Sequence, residues 1–251
     1  MIDTLRSEWI KLRTVRMNLI LFILAVAFPV IVSVLVASLA DLDDLQISDV
    51  VGLVTGSSVV TALLLGVVGA VSISAEFAYG TIRPTFAATP RRVRVLLSKA
   101  FVIALFAAVA EALVVLFCFV MSSAITSNRG ANVSLSDEPQ ARAALIGIVV
   151  FAVIVSLLGL GLGMVIRNTP AAVAVLILWP LVVENIILAI LSAAGVDNAE
   201  RFLPYISGFE LGNPDTPSSD GLGRVAGGLY FGAATVLVAT VGIIITARRD
   251  A

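Results

Sequence analysis

Six long apolar runs, broken by short polar stretches, set the hydropathy pattern of this chain: residues 18–40, 50–74, 99–123, 142–166, 170–194 and 225–247. Each meets the roughly 20 residues that a helix needs to cross a bilayer. Helices are the expected form because unpaired backbone polar groups are costly in hydrocarbon, and runs of this length do not suit barrel strands. The segment before the first run has another period. Within residues 1–17, Ile2, Leu5, Trp9 and Leu12 can share one stripe. That is the pattern of an amphipathic helix lying along the membrane surface, with Trp9 as an interface anchor and Lys11 and Arg13 beside it.

Between the second and third runs, residues 75–98 form a polar bridge. Gly80 and Thr81 allow a turn, and a short helix is expected over 82–88. Thr89-Pro90 reads as a helix start, with the threonine as N-cap and the proline at the first helical position, where its missing N–H costs nothing. Val93, Leu96, Leu97 and Ala100 then recur on one face. Arg91, Arg92, Arg94 and Lys99 mostly occupy the remainder, within reach of phosphate headgroups or an acidic partner. A loop that only fixes topology accounts for the arginines. It does not account for a carboxylate at Glu76, a Gly-Thr turn and a short helix before a capped span.

Composition agrees with a lipid environment. The 251 residues are 59% hydrophobic and 13% charged, with a mean hydropathy of +1.08, outside the range of soluble domains. The net charge of −1 hides a segregation of sign. One side of the spans receives Arg6, Lys11, Arg13 and Arg16, then Arg83, Arg91, Arg92, Arg94 and Lys99, then Arg167, Arg248 and Arg249. These are twelve of the 16 Lys and Arg; the other side holds Arg129, Arg142, Arg201 and Arg224 and most of the acid. The positive-inside rule places both termini and the polar bridge in the cytoplasm. The first run and its prefix are too long for a cleaved signal peptide.

Catalytic chemistry is not supported. There is no histidine, the lone Cys118 sits in an apolar run, and no metal-ligand or nucleophile–base constellation appears. The only lysines, Lys11 and Lys99, do not follow a phosphate-binding loop, so ATP hydrolysis by that route is excluded. Gly52/Gly56, Gly159/Gly163 and Gly228/Gly232 recur at helical spacing and let helices approach, packing within one subunit being the plainer expectation.

Several of these stretches resemble one family. Glu76-x-x-x-Gly80-Thr81, Thr89-Pro90-Arg91-Arg92 and Lys99 look like the cytoplasmic loop of ABC-2 type transporter permeases. Ser7-Glu8-Trp9-Ile10-Lys11-Leu12-Arg13 is similar to that family's opening, and Phe202-Leu203-Pro204-Tyr205 to its polar excursion between the fifth and sixth spans. The resemblance implies an all-α membrane protein of the type V exporter kind, in one transmembrane domain. Its parts would be an elbow helix over 1–17, spans 1 and 2 over 18–74, and a coupling segment over 75–98. Spans 3 to 5 would follow over 99–194, then an extracellular or re-entrant segment over 195–224 and span 6 with the tail over 225–251. It also implies a bacterial plasma-membrane exporter of apolar or amphipathic cargo such as a lipid, antibiotic, peptide or drug.

A separate ABC ATPase, in two copies, would carry ATP and magnesium and dock on the coupling segment. A second permease chain, identical or similar, would complete the path, with no nucleic-acid partner and no cofactor on this chain. Gly80 and Thr81 would set the turn, Ile82 and Phe86 would supply apolar contact with the ATPase, and Glu76 and Arg83 polar contacts or a local pair. Two carboxylates lie inside spans: Glu111, and Glu184 just after Trp179-Pro180, where the proline is expected to kink the helix. Such residues mark substrate or proton sites by default, here together with Asn185. The plainer alternative is a carboxyl bonded to a neighbouring helix, for instance through Asn185 or Ser156. The second functional reading is a proton-coupled transporter using Glu111 and Glu184, and a third is a non-transporting membrane scaffold.

Overall fold

The computed structural model describes residues 2–14, 16–39, 46–88, 92–130, 135, 138–215 and 222–248, without the side chains of 2–4, 13, 83, 87 and 88. Helix α1 (Ile2–Thr14) precedes α2 (Arg16–Leu39), α3 (Ile47–Ala78) and the short α4 (Ile82–Ala88). Then come α5 (Arg92–Asn128), α6 (Pro139–Ile166), α7 (Thr169–Leu178) and α8 (Glu184–Ala193), the last two joined by a π-helical turn over Trp179–Val183. Helix α9 (Pro204–Phe209) lies between two 3-10 turns, and α10 (Arg224–Arg248) closes the described chain. Six of these stretches, with α7 to α8 counted as one, are long and apolar enough to cross a membrane.

Two spans exceed that need. At 32 and 37 residues, α3 and α5 are about 48 and 55 Å long, against roughly 30 Å of hydrocarbon. Both therefore begin and end well beyond the apolar runs and carry Asp49, Glu76, Arg94 and Lys99 as helical residues. The start of α3 is set by a reciprocal cap, in which the Gln46 N–H donates to Asp49 Oδ2 at 2.8 Å.

The centre of the bundle is the crossing of α3 with α6. A Cβ on Gly159 would run into the Gly66 carbonyl, and one on Gly69 into the Ser156 carbonyl. Only bare backbone permits that approach. Gly163 also abuts α3, through Ala70, so this pair serves packing inside the chain. Gly159→Ala should cost about 1–3 kcal/mol as an overpacked core, read as a lower thermal unfolding midpoint in detergent; an unchanged midpoint would mean that the crossing can shift.

Residues 199–212 turn back into the bundle. Gly147 and Gly227 leave room for the carbonyls of Leu211 and Ser207. Tyr205 packs edge-on against Phe151 and Phe231, with ring centroids 5.1 and 5.6 Å away. Phe151 stands twelve residues inside α6, about 18 Å along it. The excursion is thus a plug among helices, not an open loop.

Candidate functional site

Four charged side chains from three helices meet at one end of the bundle. On α1, Glu8 and Lys11 are a turn apart and share a face. Lys11 Nζ donates to Glu8 Oε1 and to Glu76 Oε1 on α3, both at 2.8 Å. Lys99 Nζ, on α5, donates to Glu8 Oε2, to Glu76 Oε1 at 3.2 Å and to the Ser72 carbonyl at 3.3 Å. Glu8, Glu76 and Lys99 are buried and Lys11 is partly exposed. Charges taken from water cost several kcal/mol each unless paired, and here two acids balance two lysines. Burial pushes the Glu8 carboxyl up, but the ammoniums of Lys99 and Lys11 outweigh it and hold it below its usual value. Burial pulls Lys11 down, but hydrogen bonds and charge from Glu76 and Glu8 leave it raised.

The polar bridge leaves this cluster through Gly80, whose φ of +67° is the left-handed turn that glycine accepts readily. Thr81 Oγ1 donates to the Glu76 carbonyl at 3.5 Å. Helix α4 then folds inward. Ile82 and Phe86, one helical turn apart, are buried with Ile73, Val95, Leu96, Leu160 and Met164. The expected apolar contact of these two side chains with a partner is therefore corrected: they close the chain's own core. Arg92 covers the Phe86 ring at 5.4 Å and donates to the Ala247 carbonyl at 3.4 Å. Among the described side chains of α4 and its turn, Tyr79, 82% exposed, stands outside together with Thr81 and Pro84.

Of the interface residues, Trp9 keeps an exposed face and sets its ring edge-on to Phe106 at 6.3 Å, and Arg94 is exposed. The side chains of Arg13 and Arg83, residue Arg91 and the Thr89-Pro90 cap lie outside the described residues.

Glu184 is fully buried and accepts three hydrogen bonds. The donors are the Trp179 indole N–H at 3.0 Å and the backbone N–H groups of Tyr205 and Ile206 at 3.0 and 2.9 Å. These are donors that the first turn of α9 leaves open, so a carboxylate on span 5 caps a helix 20 residues further on. The expected partners differ: Asn185 donates to the carbonyls of Pro180 and Leu181 at 3.0 and 3.2 Å, and Ser156 to Val153 at 2.8 Å. Pro180 sits in the π turn, where an extra residue per turn accommodates its ring and missing N–H. Glu111, midway along α5, is equally buried; its neighbour among the described polar side chains is the Ser58 hydroxyl, which stands near it without an ordinary hydrogen-bond geometry.

The sequence matches the family model described as "ABC-2 family transporter protein" over residues 4–193. The chain belongs to the ABC-2 transporter family. No curated protein matches it. As an ABC-2 permease chain it is an all-α, multi-pass membrane component of a transporter, in a family that works with an ABC ATPase and is generally not itself catalytic. The match covers α1, the polar bridge and five of the six spans.

Two members of the permease's ion cluster, Glu8 and Lys99, are missing from the site expected of the sequence. A signal was available. The chain has only two lysines, both on the side expected to be cytoplasmic, and each lies in a stretch that also carries family motif residues.

Proposed function

We propose that this chain is the membrane-spanning subunit of an ATP-driven exporter for apolar or amphipathic cargo. A separate ABC ATPase, in two copies, docks on the tip formed by the end of α3, α4 and the start of α5. A second permease chain, identical or similar, completes the path. ATP and magnesium belong to the ATPase, and both termini face the cytoplasm of a bacterial cell.

The observation that carries this reading is the construction of the tip. Its base is fastened by Glu8, Lys11, Glu76 and Lys99, its inner face is closed by Ile82 and Phe86, and Tyr79 projects 82% exposed from the turn. A loop kept for its charge alone needs no such fastening. Glu76 thus serves coupling from within, holding α1 against the turn, while Tyr79, Thr81 and Pro84 form the contact.

Tyr79→Ala tests this. The side chain is exposed, so folding should be unchanged, while association with the ATPase falls by about tenfold or more, as for an aromatic anchor. Co-purification and coupled transport at the parent's level would rule the docking tip out. The carboxyl of Glu111, fully buried in span 3 with no cation paired to it among the described residues, favours proton coupling as the second reading. Transport that persists without ATP but stops when the proton gradient is collapsed would select it.

A further inference from the structure

Two arginines tie the end of the last helix to the docking tip. Arg167 Nη2 donates to the Ile245 carbonyl and Arg92 Nη1 to the Ala247 carbonyl, both at 3.4 Å. These are among the closing carbonyls of α10, which have no partner within the helix, and cations suit that end of it. The same guanidinium groups lie over aromatic rings of the tip, Arg167 over Phe77 at 4.8 Å and Arg92 over Phe86 at 5.4 Å. Arg167 reaches this position from the left-handed cap of α6, at φ +56°, where glycine fits best. A bulky residue kept on a strained backbone points to a task for its side chain.

We propose that Arg92 and Arg167 are a clasp through which the docking tip swings α10, and that α10 carries the movement to the plug at residues 199–212. Helix α10 meets the plug at its other end. Gly227 and Gly228 admit the Ser207 carbonyl and the Leu211 side chain, and Phe231 packs on Tyr205. Between clasp and plug, α10 bears closely on α6. A Cβ on Gly161 would meet the Ala239 backbone at 3.0 Å, and one on Gly242 the Met164 side chain at 2.8 Å. This crossing is a fulcrum set near the clasp. Its arms are about 8 Å to the clasp and about 19 Å to Gly228, so a shift at the tip is roughly doubled at the plug.

Other routes between the two ends are less direct. Span 5 is interrupted by the π turn over Trp179–Val183. Helix α6 also reaches both ends, but its backbone is locked against α3 at Gly66 and Ser156. Helix α10 is continuous and free of proline, with Val225, Leu229 and Leu237 exposed along one flank. That an ATPase supplies the movement rests on the exporter reading.

The test uses a cysteine at Ser207 of the plug, in a Cys118→Ala background, within the complex of the chain and its ABC ATPase. Its labelling by an impermeant thiol reagent is timed without nucleotide and after trapping with ATP and vanadate. The two rates should differ by about tenfold in the parent, a usual size for coupling between sites. In Arg167→Gln the ATPase should still associate, while the ratio shrinks to about threefold or less. Arg167→Gly relieves the left-handed backbone and should uncouple equally. Arg167→Lys keeps the charge but not the flat ring contact and should stand between. Rates raised alike in both states, with the ratio kept, would reduce the arginine to packing and overturn the proposal. So would a ratio as large in Arg167→Gln as in the parent, or equal rates in the parent. Loss of the ATPase from Arg167→Gln would also overturn it and give the arginine to the docking contact. A parent chain that holds no ATPase would instead fail the exporter reading, and this inference with it.

Discussion

Lys99→Met should leave little assembled protein in the membrane, with the elbow helix released from the spans. Lys99 is 3% exposed and reaches Glu8, Glu76 and the Ser72 carbonyl. Methionine fills similar volume but leaves two buried carboxylates facing one lysine. Breaking a buried pair on one side costs about 3–5 kcal/mol, because an uncompensated charge remains inside. Lys99→Arg keeps the charge and should recover part of the loss. The readout is protease cutting between α1 and α2: rapid in Lys99→Met, slow in the parent. Equal rates would mean that the cluster does not hold the elbow.

The acid–base behaviour of the same cluster has a defined sign. Glu8 is held below its usual value, so its contribution is complete above the pKa of an unfolded glutamate, about 4.3, and fades as acid protonates the folded carboxylate. Lys11 is held above its usual value, so its contribution is complete below about 10.4 and is lost as alkali passes its folded value. Between those limits the elbow's protection should be flat with pH.

Hydropathy was enough to count the spans, because each apolar run reaches bilayer length and nothing else in the chain does. It left α3 short: Glu76 looks like a loop residue by composition, yet it stands on a helix that outruns the hydrocarbon. The reach of α5 over Arg94 and Lys99 was legible from the apolar spacing of Val93, Leu96, Leu97 and Ala100. The short helix over 82–88 was legible from Gly80 and the spacing that follows. Its orientation was not, since Ile82 and Phe86 can as well face a partner as the chain's own Leu160 and Met164. Glu184 was recognisable as unusual by depth alone. Its partners are mainly backbone N–H groups of Tyr205 and Ile206, and no residue type announces those.

Glu184→Ala should free the plug at the other end of the bundle. The carboxylate satisfies two backbone donors of α9 and the Trp179 indole, and each buried donor left alone costs about 1–3 kcal/mol. A six-residue helix has little of its own to resist that. In a Cys118→Ala background, a cysteine placed at Ser207, which is 4% exposed, should be protected from an impermeant thiol reagent in the parent and labelled readily once Glu184 is alanine. Glu184→Gln should be intermediate, since its amide oxygen can still accept while its NH₂ opposes a backbone N–H. Continued protection in Glu184→Ala would show that the aromatic contacts of Tyr205 suffice.

The ion cluster also sets a timetable for synthesis. Its pairs span separations of 3, 23, 65 and 91 residues: Lys11 with Glu8, Lys99 with Glu76, Lys11 with Glu76, Lys99 with Glu8. At roughly 5–20 residues per second, Glu8 waits on the order of 5–20 seconds after leaving the ribosome before Lys99 follows it. Until Glu76 follows, 23 residues ahead of Lys99, the elbow has only its own helix, its local Glu8–Lys11 pair and the membrane surface to rest on. The first span must therefore insert with the elbow unsecured; the end of the second adds the Lys11–Glu76 pair, and the third completes the lock. Nascent chains arrested before residue 76 should keep the elbow open to protease, and chains arrested well beyond residue 99 should not.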